Sequence, residues 1–210
     1  MPKLLASGRT ADVYEAGPGR VLRRYRVGID AEPEADVMRY LAGLGYPVPI
    51  VYEASGTDMV MERVDGPTMV EAFVAGTLSL DEGMRILAEL HKALHALPAR
   101  HSSESVLHLD LHAENILMSA RGPIVIDWNN SDEGPADLDV ALSGLIMAEV
   151  AITPGHPLAE MVRPAVAAFL SYAGTPPWPM VERAVAMRNA IPALSAEEKA
   201  RLGEAAALLT

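Results

Sequence analysis

The 210-residue chain contains no cysteine, which excludes a disulfide scaffold and a zinc site built on thiolates and suits a reducing cytoplasm. Long apolar runs are also missing. The amino terminus carries no hydrophobic stretch after Lys3, and the most apolar later segment, Leu138 to Ile152, is broken by Asp139 and Glu149. Neither a membrane span nor a secretory leader is expected, and the chain is expected to be cytoplasmic. Basic residues are scarce: 17 Lys and Arg stand against 28 Asp and Glu, for a formal net charge of -11. Nucleic acid is thereby excluded as an expected partner, because binding it requires a basic face that displaces counterions. A cationic small molecule is permitted by the same balance. Internal repeats and low-complexity tails are absent. The length suffices for one sizeable core or for two small lobes sharing a cleft. The 50% hydrophobic content reflects either a surface that pairs copies in a homo-oligomer or simply an Ala- and Leu-rich core.

Against this background, the run His108-Leu109-Asp110-Leu111-His112-Ala113-Glu114-Asn115 has the spacing H-x-D-x-x-x-x-N. Asp127 closes the apolar run Ile124-Val125-Ile126 further on. Those residue types suit phosphoryl transfer. An attacking hydroxyl needs a carboxylate to accept or orient its proton, and Mg2+ on nucleotide phosphates needs hard oxygen ligands. Asp110 is the expected base or positioner. Asn115, with a neutral carbonyl oxygen, and Asp127, with an anionic one, are the expected metal ligands. Each residue alone also suits turn hydrogen bonding. The context adds weight, since Ile116-Leu117-Met118, a Gly122-Pro123 turn and Ile124-Val125-Ile126 predict a hairpin with Asn115 and Asp127 at its two mouths. His91 and His112 lack metal-ligand spacing, and His108 is expected to hold the loop by packing and hydrogen bonding.

Ala11 to Ala16 and Arg20 to Tyr25 flank Gly17-Pro18-Gly19 as a hairpin. Pro33 opens a helix that Ala35 to Leu44 continue, and Val48 to Tyr52 and Met59 to Val64 read as two more strands. After Thr68 helical patterning dominates. Ser79 to Glu82 is a capping-box pattern ahead of a helix with Leu87, Leu90, Leu94 and Leu97 on one stripe. Ala136 to Ile152, Leu158 to Tyr172 and Val181 to Ala190 are further helices, separated by Pro154-Gly155 and Gly174-Thr175-Pro176-Pro177. Ser195 to Glu198 caps a last one. The pattern predicts an α+β chain of two parts: residues 1–64, a small antiparallel sheet with one helix, and residues 65–210, mainly helical.

With these residues in hand, the chain resembles the aminoglycoside phosphotransferase and choline kinase-like superfamily, small-molecule kinases with a two-lobed protein-kinase-like fold. The resemblance rests on Ser7 to Tyr14, Val60 to Gly66, the loop around Asp110, Ile126-Asp127-Trp128, and Gly134 to Ala141. It implies that Asp139 braces the catalytic loop by accepting backbone hydrogen bonds. It also implies that backbone groups around Glu62 and Val64 form an adenine hinge, and that ATP or GTP with Mg2+ is the cofactor. Two positions depart from the family pattern. Arg23 stands where a phosphate-pairing lysine is expected, with Glu34 as its partner acid; the guanidinium keeps the charge, but its planar fork is no neutral replacement for an ammonium. The phosphate loop offers Gly8 with Arg9 and Thr10 in place of several glycines. The resemblance implies a nucleotide- and Mg2+-dependent phosphotransferase acting on a hydroxyl of a small polar molecule, aminoglycoside-like, choline-like or sugar-like. Arg23 and the thin phosphate loop motivate an alternative, a nucleotide-binding pseudokinase acting as a regulatory or interaction module. A compact protein kinase is disfavoured by the short interval between Asp127 and Gly134. Asp132, Glu133 and Asp137 either line an entrance for a cation or are solvated loop charges.

Overall fold

The computed structural model describes residues 3–8, 10–26, 28–174 and 178–210. Arg9 of the expected phosphate loop and Thr175-Pro176-Pro177 of the last expected break lie outside the described residues. The chain is α+β and divides into two units, residues 1–67 with 116–129, and residues 68–115 with 130–210.

In the first unit, β1 (Leu4–Ser7), β2 (Ala11–Glu15), β3 (Arg20–Tyr25), β4 (Val51–Ser55) and β5 (Asp58–Glu62) form an antiparallel sheet in the order β1-β2-β3-β5-β4. Gly17 and Gly19, at φ 99° and 67°, make the β2–β3 turn possible, since few L side chains accept that backbone region. The last two strands are displaced from the expected Val48–Tyr52 and Met59–Val64. The tight turn at Gly56-Thr57 pairs Ser55 with Asp58 and thereby sets the register from its own end. α1 (Glu32–Gly43) begins with Pro33 in its first turn, buries Ala35, Val37, Met38 and Leu41, and packs against β4.

The hairpin of β7 (Ile116–Ser119) and β8 (Gly122–Val125) belongs to this first unit, whereas the sequence placed all of 65–210 with the helices. Two backbone hydrogen bonds give the reason: the Met118 N–H donates to the Pro67 carbonyl and the Val125 N–H to the Pro47 carbonyl, both at 2.8 Å.

The second unit is built from α2 (Met69–Val74), α3 (Leu80–His95), α4 (Ala136–Ile152), α5 (Ala159–Ala173), α6 (Trp178–Ala190) and α7 (Ala196–Ala206). Capping chemistry sets several helix starts. Thr68 and Glu71 form a reciprocal capping box on α2, Ser195 and Glu198 form one on α7, and Ser79 Oγ accepts the Glu82 N–H at the start of α3. α3 buries Met84, Leu87, Leu90 and Leu94, while Leu97 lies past its end. α4 is buried on nearly every side and packs against α5, α6 and α7, as a helix apolar all round must. A two-stranded pairing of β6 (Ser105–Leu107) with β9 (Asp132–Gly134) was not foreseen, because three-residue strands carry no measurable alternation. Among the described residues no helix is long and apolar enough to cross a membrane.

Gly66 sits at φ 149°, and a Cβ there would run into the Met118 carbonyl, on the strand that Pro67 holds. Gly66→Ala should therefore lower stability by about 2 kcal/mol. Denaturant titration of both proteins checks this; an unchanged midpoint would show that the 65–67 segment relaxes away from β7.

Candidate functional site

The H-x-D-x-x-x-x-N segment of the second unit leaves β6 and ends in a 3-10 turn, Ala113–Asn115. Leu109, immediately before Asp110, has φ 64°, a left-handed conformation that costs a branched residue of order 1–3 kcal/mol and persists only where surroundings impose it. Asp139, in the first turn of α4, imposes it. Its Oδ1 accepts the Leu109 N–H at 2.7 Å and its Oδ2 accepts the His108 N–H at 3.1 Å. The same Oδ2 lies 3.0 Å from His95 Nε2, at the end of α3. Asp139 is fully buried. Burial alone would raise its pKa, but the His95 hydrogen bond and the neighbouring histidines hold it down at about 2. His108, also fully buried, accepts the Asp110 N–H on Nδ1 at 3.3 Å. The Asp110 side chain itself is partly exposed, with His112 Nε2 3.7 Å from its Oδ1.

Asn115 is nearly buried, and its amide nitrogen donates to the Asp110 carbonyl at 2.9 Å. The amide oxygen is thus the end free to meet a cation. Across the helices, Arg188 forks onto both oxygens of Glu149, at 2.8 and 2.9 Å. Burial works against the Arg188 charge, but Glu149 foremost, then Asp110 and Glu198, raise its pKa above the ordinary value.

The first unit carries the second cluster. Arg23 on β3 is nearly buried and serves two carboxylates: its Nη2 donates to Asp127 Oδ1, and its Nη1 lies 3.5 Å from Glu34 Oε1 on α1. The guanidinium also stacks on the Tyr25 ring, 5.0 Å from its centroid. Glu34 Oε1 accepts the Trp128 N–H at 2.9 Å. Trp128 is fully buried, its indole N–H donating to Val125 O and its ring meeting Tyr46 edge-on. Burial pushes the Glu34 carboxyl up to about 7, against the opposing pull of Arg23, with Asp127 adding to the rise. Among the described residues three buried atoms here, Arg23 Nε, Tyr25 OH and Glu34 Oε2, lack hydrogen-bond partners. Asp127 lies just beyond β8 at φ 69°, the second non-glycine residue in the left-handed region. Arg24 faces the other way and pairs with exposed Asp58.

At the expected hinge, the Glu62 carboxylate accepts the Ile50 N–H at 3.1 Å and pairs with Arg121 at 2.7 Å. Among the described residues no hydrogen bond engages the Val64 main chain. Among the same residues no group of three or more His or acidic side chains could hold a metal ion. Asn115 in the second unit and Asp127 in the first each offer a hard oxygen donor, the ligand chemistry that Mg2+ prefers. Glu133, one of the acids considered for a cation entrance, accepts the Arg100 and His101 amides instead, fastening a loop.

His95, Tyr25 and the strained Leu109 escaped the sequence reading. A signal for His95 existed: an acid in the first turn of an otherwise apolar helix, Asp139, demands a polar partner once buried.

The phosphotransferase enzyme family matches residues 2–103 and 77–178. Thiamine kinase from Escherichia coli (strain SMS-3-5 / SECEC) is 41% identical over 58 residues, covering 28% of this chain; the chain matches about a fifth of that relative, 20% of its length. Among solved structures, ADP-bound aminoglycoside phosphotransferase APH(2'')-Ib superimposes with a TM-score of 0.65 at 15% identity, covering 100% of this chain and 92% of its own. Amicoumacin kinase in complex with AMP-PNP, Ca2+ and Ami gives a TM-score of 0.53 at 17% identity, covering 99% and 87%. These likenesses establish a shared fold, and the family match spans most of the sequence: the chain belongs to the phosphotransferase enzyme family.

Proposed function

We propose that this phosphotransferase is a kinase that moves the γ-phosphoryl group of ATP, with Mg2+, onto a hydroxyl of a small polar acceptor. The observation that carries the reading is the Asp110 loop, in which a buried carboxylate holds two successive amides and forces Leu109 into a strained conformation directly before a partly exposed aspartate. Strain of this kind is retained where a fixed side-chain position is needed. Family membership and the nucleotide-bound fold neighbours support the same reading, as does the ATP in the streptomycin-ATP-APH(2'')-IIa complex, TM-score 0.64 at 13% identity over 99% of this chain and 90% of that one.

In this assignment Asp110 orients the acceptor hydroxyl and takes up its proton as the oxygen attacks phosphorus and the bond to the departing ADP oxygen breaks. Arg23 holds phosphate charge, and Glu34 keeps the guanidinium in place. Asn115 and Asp127 would hold Mg2+, which supplies charge neutralisation on the phosphate oxygens when bound. The unengaged main chain at Val64, with Glu62 beside it, is suited to the adenine edge. The named relatives act on chemically different molecules, a thiamine, aminoglycosides and amicoumacin, so the acceptor is assigned only as a small hydroxyl-bearing polar molecule.

Phosphate transfer should be measured over a panel of amino alcohols, thiamine-like alcohols, aminoglycosides and sugars. Asp110→Asn is expected to lower kcat by about a hundredfold to a thousandfold with ATP binding little changed, and Asp127→Asn to abolish Mg2+-dependent nucleotide binding. Nucleotide binding without turnover on any acceptor, and indifference to Asp110→Asn, would favour the pseudokinase.

Glu34 gives a pH prediction. Its folded pKa of about 7 lies above the ordinary 4.5, so the folded state holds the extra proton between those values. The associated stability is complete below about pH 4.5 and lost as pH rises through 7, about 3 kcal/mol in all. Relative to wild type, Glu34→Gln should therefore gain stability between pH 5 and pH 8. Parallel denaturation curves at the two pH values check it; equal differences would mean that Glu34 is ionised throughout.

A further inference from the structure

An arginine at position 23 needs something that a lysine there would not, a neighbour for the flat faces of its guanidinium in a dry interior. Strand alternation puts Val21, Arg23 and Tyr25 on the buried face of β3, and Arg23 and Tyr25 are only 8% and 3% exposed. The edge of the guanidinium carries its N–H donors and meets the carboxylates of Asp127 and Glu34. Its faces are weakly hydrated and are attracted to the face of an aromatic ring. Tyr25 supplies that ring, with Arg23 Cζ 5.0 Å from its centroid.

These three contacts differ in permanence. Asp127 is assigned to Mg2+ in the proposed reaction, so a bound metal competes with Arg23 for that carboxylate. Glu34 Oε1 stands 3.5 Å from Nη1 and already accepts the Trp128 N–H at 2.9 Å. The Tyr25 ring has no ligand competing for it, and its backbone is held from both sides: Tyr25 pairs with Ala11 of β2, and its N–H donates to the Thr57 carbonyl at 2.8 Å. The Tyr25 hydroxyl is buried and lacks a partner among the described residues. The ring, not the hydroxyl, therefore ties this residue to Arg23.

We infer that Tyr25 is a positioning residue for the proposed phosphoryl transfer: its ring is the platform on which the Arg23 guanidinium stays seated when Asp127 turns to the metal, so that the cation meets the nucleotide phosphates from a fixed place. The phosphate in this statement rests on the kinase reading; the platform is a property of the first unit with or without nucleotide. Tyr25 touches no reacting atom. It acts through Arg23.

Tyr25→Phe keeps the ring and removes the hydroxyl, whereas Tyr25→Leu removes the ring; each is also made together with Arg23→Met, which removes the cation. The readouts are calorimetric titration with Mg2+-ATP, kcat/KM for ATP, and denaturant unfolding without nucleotide. Tyr25→Phe should stay within about twofold of wild type on binding and turnover, and Tyr25→Leu should weaken both by at least about fivefold. With Arg23→Met already in place, removing the ring should change binding by less than about twofold, whereas a ring that merely fills the core would cost the same in either background. In unfolding without nucleotide, the effects of Tyr25→Leu and Arg23→Met should fall short of their product by at least about fivefold, the coupling of a desolvated cation–π pair. If Tyr25→Leu does not fold, Tyr25→Met, flexible enough to fill the space, takes its place. A loss at Tyr25→Phe as large as that on removing the ring, or a ring penalty that is the same with and without the cation, would overturn the inference. A wild type that binds no Mg2+-ATP would defeat the kinase reading, and the unfolding cycle would still judge the platform.

Discussion

A carboxylate sealed from water governs the second unit. Asp139 keeps its charge because three N–H groups surround it and because it sits in the first turn of α4, where the exposed amides of a helix start favour an anion. α4 in turn packs against α5, α6 and α7, so the loop bearing Asp110 is fastened to the most buried helix of the unit. Packing alone would leave Leu109 free to relax from its costly backbone conformation. Two hydrogen bonds to one buried carboxylate do not, since breaking them would strand a charge in a dry interior.

A related economy operates in the first unit with the signs exchanged. There a buried cation, Arg23, is shared by two acids from different elements, Glu34 on α1 and Asp127 beyond β8. The sharing makes sense of the departure from lysine, because a planar fork can present separate N–H groups to two carboxylates whereas an ammonium is a compact point charge. The satisfaction is incomplete. Among the described residues Arg23 Nε, Tyr25 OH and Glu34 Oε2 stay unpaired, and Asp127 adopts a backbone conformation that glycine would take more easily. Unpaired buried groups and strained residues are costs a fold retains where function asks for them, and here they lie at or beside Arg23, Glu34, Asp110 and Asp127.

The motif was legible because chemistry dictates it locally: a His, an Asp and an Asn at fixed spacing, then an acid after an apolar strand. The β2–β3 hairpin, α1 and the long helices were legible from turn residues and apolar periodicity. The register of β4 was not, because the Gly56-Thr57 turn counts from the far end of the hairpin while the apolar run around Val48 suggested an earlier start. The β6–β9 pairing joins two three-residue strands far apart in sequence, and no local pattern encodes such a partner. His95 read as one more polar residue near a helix end; its meaning depends on a carboxylate 44 positions later, which only tertiary structure supplies. Leu109 occupies left-handed backbone without being Gly, Asn or Asp, so the usual composition cue for that region was missing.

The net charge of -11 says little about which acids are open to a ligand, because individual charges are already paired. Glu133 spends its carboxylate on the Arg100 and His101 amides, and Glu149 is taken by both arms of the Arg188 fork. Arg188 in turn is held as a cation by Glu149 foremost, against the opposing effect of burial, with Asp110 contributing. Local charge pairing, not the total, thus sets the electrostatic surroundings of the loop.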